Sequence, residues 1–215
     1  MSGISFSTDA LAVTPTTGAT EYNGIALYFT PTGTQRGVIR GQQMFVLQTA
    51  YTGTQATTAQ SLFGLTNGVT LANSTVYAFD FAYALSKTAG TTNHTIGYGF
   101  GGTATINNIA YLRNFQWSNS GFTSSPNTYA GDSVTWGFVQ SASSTTLTSE
   151  NTGTASMQWI VYGKGTVSVN AGGTFLPQYS LSAAPGGAYT TQPGSYFLIY
   201  PIGAAGANVS IGAWS

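Results

Sequence analysis

Charge is what this sequence has least of. Asp, Glu, Lys and Arg make up 5% of its residues, against about 25% in an average globular domain. Five basic residues balance five acidic ones, so the formal net charge is zero. A nucleic-acid binder needs a basic face to displace phosphate counterions. Basic residues scattered from Arg36 to Lys164 cannot make one, and that class is excluded. A monomer ordinarily keeps itself soluble with charged surface. This chain must instead clothe its exterior in Ser, Thr, Asn, Gln and Gly, or bury much of it against copies of itself or other proteins.

Cysteine is absent, which excludes disulfides and thiolate metal sites. No run of about 18 apolar residues occurs, so no transmembrane helix and no membrane insertion are expected. The opening Met1-Ser2-Gly3-Ile4-Ser5-Phe6 has neither the basic region nor the apolar stretch of a signal peptide. Helical periodicity is missing too, with Ala56 to Phe63 the one stretch that could make a short helical turn. The chain is not of the disordered type either. Hydrophobic residues reach 42% and aromatics 13%, the reverse of a disordered composition.

What is there is alternation. Tyr77, Phe79, Phe81, Tyr83 and Leu85 form one face of a strand, and Ala78, Ala82 and Ala84 most of the other. Apolar residues on both faces imply burial on both sides, and the small-residue face suits close packing by a sister subunit. Ile96, Tyr98 and Phe100 alternate in the next strand; Trp136 and Phe138 do so later. Met157, Trp159 and Val161 oppose Gln158, Ile160 and Tyr162, and short strands follow at 166–169, 179–181 and 196–202. Gly90, Gly101-Gly102, Gly172-Gly173 and Pro185-Gly186-Gly187 punctuate them as turns. Short strands at this spacing predict an all-β antiparallel sandwich or jelly roll.

Residues 1–45 read differently. Tyr22-Asn23-Gly24-Ile25 carries Asn-Gly, the favoured two-residue hairpin turn, with Leu27-Tyr28-Phe29-Thr30 as return strand. The segment is poor in core-sized residues before Tyr22. It reads as an arm with a β-hairpin, used for docking or assembly, on a body spanning 46–215.

Catalytic patterns are weak. Gly97, Gly99 and Gly102 satisfy G-x-G-x-x-G, but Thr103 to Asn108 is no helix start, so the dinucleotide reading lacks its context. His94, the only histidine, has no G-x-S-x-G or H-E-x-x-H around it, and reads as an exposed residue at a hairpin tip. The carboxylates are Asp9, Glu21, Asp80, Asp132 and Glu150. Asp80 interrupts an apolar strand and reads as a structural ion pair with Lys87, Arg113 or Lys164, rather than as half of a glycosidase pair. Trp117, in Phe115-Gln116-Trp117-Ser118-Asn119, precedes a loop and is the best placed aromatic for stacking on a sugar. No catalytic residue, cofactor or metal ligand is expected.

Several longer stretches carry a resemblance. Thr14-Pro15-Thr16-Thr17-Gly18-Ala19-Thr20-Glu21-Tyr22-Asn23-Gly24, then Leu27 to Thr30, is similar to a hairpin segment of phage fibre and appendage proteins. Ser86 to Ile96, Phe100 to Thr105, Gly172 to Phe175, Tyr179 to Tyr189 and Tyr200 to Gly212 resemble, in order, structural proteins of tailed bacteriophages, especially phages of marine bacteria. The resemblance implies a virion location, assembly in the host cytoplasm and no enzyme activity. Those relatives are often longer, with shaft repeats; none stands here, which favours a head decoration (cement) protein or a small appendage. The terminal Gly194-Ser195-Tyr196-Phe197-Leu198-Ile199-Tyr200 strand resembles the trimeric jelly rolls of the tumour-necrosis-factor type, whose inner sheet lines a three-fold axis. The partners then expected are two copies of itself and other virion proteins, such as major capsid or tail proteins. Phe6, Tyr22, Leu27, Tyr28 and Phe29 are the docking candidates of the arm. The alternative is a receptor-binding knob of a tail fibre or spike, recognising host surface glycan through Trp117.

Overall fold

The computed structural model describes residues 4–118, 133–143, 148–154, 156–206 and 208. Among the described residues there is no helix, and all strand pairs are antiparallel. The helical turn expected at 56–63 is overturned. The Gln60 amide holds that loop, accepting from Thr54 N at 2.7 Å and donating to the Ala56 carbonyl at 3.2 Å. Its backbone belongs to a short strand.

A small N-terminal sheet contains β1 (Thr20–Tyr22), β2 (Leu27–Thr32) and β3 (Gln35–Ile39). The expected hairpin is present, with a third strand added and a longer turn. Tyr22 pairs with Leu27, so four residues turn the chain rather than two. Asn23 Oδ1 accepts from the amides of Ile25 (3.0 Å) and Ala26 (2.9 Å), and Gly24 takes the left-handed φ of 85° that a side chain would resist. The preceding residues clasp this sheet. Asp9 N donates to Tyr22 O at 3.1 Å and Gly18 N to Thr30 O at 2.7 Å.

The body has two sheets. Its first strands are β4 (Gln43–Val46), β5 (Tyr51–Thr52), β6 (Gln60–Ser61), β7 (Val69–Leu71), β8 (Thr75–Lys87) and β9 (His94–Gly101). Then come β10 (Thr105–Ser118), β11 (Ser133–Ser141), β12 (Thr148–Thr152), β13 (Met157–Ala171), β14 (Gly173–Leu181), β15 (Tyr189–Thr191) and β16 (Tyr196–Ala204). Body pairing thus begins at Gln43, inside the stretch read as arm. The larger sheet runs β11-β10-β13-β8. Beyond β8, β16 and then β4 continue it at one end, and β15 and then β5 at the other. The smaller sheet runs β12-β9-β14, with β6 and β7 both pairing to β14.

The pairings nest. The first strand of the body pairs with the last described one (β4 with β16), then come β7 with β14, β8 with β13 and β9 with β12. A single long hairpin, rolled so that β16 meets β8 and β14 meets β9, gives this order. The β10–β11 hairpin is an insertion that widens the larger sheet beyond β13.

Between the sheets lies an aromatic core. Phe79 and Phe81 of β8 meet Phe100 of β9 at ring-centroid distances of 5.2 and 5.9 Å, and Phe100 stacks on Phe175 of β14 at 4.8 Å. The expected β8 face, Tyr77 through Leu85, is buried throughout. On β13, Gly163 lies between Phe81 and Arg113, and Gly165 between Phe79 and Tyr111. A methyl at Gly165 would strike the Ala110 carbonyl and the Tyr111 side chain. Leaving that space open lets Phe79 and Tyr111, two strands apart, approach to 6.0 Å. Phe100 is 2% exposed and touches rings from both sheets. Phe100→Ala should therefore lose about 3–5 kcal/mol of unfolding free energy, measured by urea denaturation.

Candidate assembly surface

The larger sheet has a second face, turned away from the core, and strand register fixes what stands on it. Met44 pairs with Leu198, Leu198 with Asp80, Asp80 with Lys164, Lys164 with Leu112, and Leu112 with Phe138. Directly opposed residues in antiparallel strands share a face, so this row crosses six strands, about 24 Å at the usual strand spacing. Neighbouring rows bring Tyr196, Ala82, Tyr162 and Asn114, and beyond them Ala84 and Ile160. Phe138 is 65% exposed, and Leu112 and Met44 each 53%. Large side chains at that exposure, gathered on one face, are unusual for a monomer's surface.

The small residues expected on β8 form the middle of this face. Ala78, Ala82 and Ala84 are half-buried and set a shallow trough between the bulkier flanks. Asp80 and Lys164 oppose each other across β8 and β13, so of the three expected partners only Lys164 shares its face, and the expected ion pair is not closed between them. Tyr196 stands on the same face; burial first, and the nearby Asp80 charge next, raise its pKa above the ordinary tyrosine value. Arg40, in the connection between β3 and β4, lies over the Tyr200 ring of β16 at 4.8 Å.

The remaining docking candidates belong to the N-terminal sheet and its approach. Phe6 is 45% exposed and Phe29 40% exposed; Tyr22 and Leu27 are half-buried. Tyr28 is 6% exposed, and its hydroxyl accepts from Asn23 Nδ2 at 3.3 Å. It has the least surface of the five to offer a partner. Leu27 and Phe29 share a face with Ile39, itself 44% exposed, a residue that alternation in so short a strand did not single out. Arg36 anchors the unit through Glu21, at 2.8 and 3.1 Å, and through the Ala12 carbonyl at 2.7 Å. Trp117 stands near the end of β10, opposite Trp159; its side chain and the residues that follow Ser118 lie outside the described ones.

His94 corrects the expectation of an exposed hairpin tip. It opens β9 and is 5% exposed. Its Nδ1 lies 2.9 Å from the Thr92 carbonyl, which only accepts, so Nδ1 carries the proton. Nε2 is then an acceptor, with the Tyr189 hydroxyl at 2.7 Å and Thr152 Oγ1 at 2.8 Å. Thr152 Oγ1 also lies 3.0 Å from the His94 carbonyl, so its one proton is shared between that carbonyl and Nε2. Lys87 is buried beside this network and donates to Gly153 O at 3.0 Å. The arrangement joins β8, β9, β12 and β15 at one end of the sandwich, with the ring serving as a neutral strut.

Asp80 and Glu150 lie on strands of different sheets, β8 and β12, while Asp132 is outside the described residues. Among the described residues no group of three His, Cys, Asp or Glu side chains is placed to hold a metal ion. Comparison with protein families, with curated proteins and with solved structures finds no match.

Burial, more than the nearby Lys87 charge, lowers the pKa of His94 below its ordinary value of 6.5. The folded state thus resists protonation while the unfolded chain accepts it, and stability present above the ordinary histidine range is lost as pH falls through it. Urea midpoints should drop between about pH 7.5 and about pH 5.5, a window set by the ordinary histidine value. His94→Gln should flatten that dependence.

Proposed function

We propose that this chain is a non-enzymatic structural protein of a bacteriophage virion, a jelly roll that works as a homotrimer decorating the head or forming a small appendage. The observation that carries the reading is the apolar outer face of the larger sheet on a chain with so few charges. Surface of this kind is stabilised by covering it, at roughly 25 cal/mol per Å². A second copy is a fitting cover, because the one acidic and one basic residue at the centre of the face, Asp80 and Lys164, offset each other. Its central row spans six strands and the rows beside it fewer, which gives at most roughly 500 Å² in projection. That approaches the roughly 800 Å² per partner of a stable interface once side-chain relief is added.

The nested pairing, in which one long hairpin is rolled into two facing sheets, supports the jelly-roll assignment. In trimers of that architecture the inner sheet faces the three-fold axis, as the resemblance implies. Here the sheet that would do so contains β4, β16, β8 and β13, the strands that bear the apolar face. The N-terminal three-stranded unit is then the part that meets other virion proteins, through Leu27, Phe29 and Ile39. The position on a particle follows from the resemblance rather than from geometry.

Light scattering during size exclusion tests the assembly. The full chain should elute with a mass near three times 22.3 kDa. Leu112→Glu with Phe138→Glu, both on exposed positions of the face, should give a folded monomer. A wild-type monomer would sink the reading.

A further inference from the structure

One side of the sandwich is open between its two edges. There β4, at the margin of the larger sheet, faces the segment leading into β7, at the margin of the smaller one. The cleft between them has a volume of about 190 Å³, and its lining includes Met44, Phe45, Phe63, Val69, Phe175 and Phe197. No charged side chain lines it. A cavity of about 150 Å³ holds a benzene-sized ring, so this one suits a single aromatic side chain with a little room beside it. Among the described residues β4 pairs only with β16, leaving its outer edge free to accept another strand.

The chain carries a segment of matching chemistry. Residues 1–8 contain no charged side chain. Ile4 is 88% exposed and Phe6 45% exposed, and they alternate with Ser5 and Ser7 as a strand requires. Behind them the chain is held. Asp9 N is bonded to Tyr22 O, and Thr8 packs against Gly24, where an added methyl would meet its Cγ2 at 2.9 Å. Residues 4–7 therefore lead away from the clasped N-terminal unit as a short exposed segment. Phe6 is not among the residues lining the cleft of its own chain.

We propose that Ile4–Phe6 of one copy docks on the free edge of β4 in a second copy, with the Phe6 ring seated in the cleft beside Phe63 and Phe175. The proposal rests on the self-association put forward above and names its cross-over contact. Two features favour a second copy as the source. Met44 stands both at the cleft and at the end of the exposed row on the outer face. Arg40, in the connection from the N-terminal unit to β4, lies over Tyr200 on that same face, so the arm's own chain enters the body there. The arm then extends one apolar surface into the next.

The absence of cysteine makes a clean test. Two full-length forms, Phe6→Cys and Val69→Cys, are co-expressed with different tags, purified together and oxidised. Both substitutions are mild, and light scattering first establishes whether the mixture is oligomeric. The expected result is a band of doubled mass on a denaturing gel that disappears on adding reductant. Peptide mapping should place the new disulfide between the two substituted positions, on differently tagged chains. An oligomer without that cross-link overturns the arm exchange and leaves self-association standing. So does a Phe6→Cys, Val69→Cys double variant that links only within one chain. A monomer removes both.

Discussion

Two glycines in β13 let aromatic side chains from β8 and β10 meet above a strand that would otherwise hold them about 9.5 Å apart. Gly163 and Gly165 carry no side chain into the core, and Phe79, Phe81 and Tyr111 fill the space they leave. Each buried ring removes about 150–250 Å² from water, roughly 4–6 kcal/mol of transfer free energy before ordering is counted. Such rings take the place of any staple in a cysteine-free chain. Phe100 and Phe175 complete the contact from the opposite sheet, so the spacing of the two sheets is set by ring against ring.

That core also explains how the few charged residues are used. Lys87 and Arg113 are buried in the body, Arg36 and Glu21 fasten the N-terminal unit, and Asp80 with Lys164 occupy the outer face. Charge serves local organisation and leaves little for solvation. An exterior of hydroxyls and amides, broken by a sheet of Leu, Met, Phe, Ile and Tyr, is well suited to permanent contact. The inserted β10–β11 hairpin contributes Leu112 and Phe138 to that face, and without it the row would end at Lys164.

Much of the body was legible as alternation. The aromatic face of β8, the strands around Ile96 and Trp159, and the all-β antiparallel class follow from period-two patterning alone. Strand β10 did not declare itself, because Asn107, Asn108, Arg113 and Asn114 interrupt the apolar series. Arg113 is nevertheless buried on the inner face. Residues 157–162 and 166–169 read as two strands, since Gly163 and Gly165 look like a break. In the fold they are the middle of one strand, suited to it by the space they leave. His94 was misjudged for a related reason: a loop-like Thr-Thr-Asn before it says nothing of Tyr189 and Thr152, which arrive from far along the chain. The outer apolar row depends on register across six strands and has no counterpart in any local window.

The nested pairing has a consequence for the chain as it is made. Val46 and Tyr196 are partners in the sheet, and the ribosome must add all the residues between them before they can meet. At about 5–20 residues per second this takes roughly 8–30 s. The N-terminal sheet closes on contacts within its own segment and can form while the body is still being synthesised. The body cannot seal until β16 emerges, so the nascent chain must hold β4 unpaired throughout, with that late strand acting as the latch.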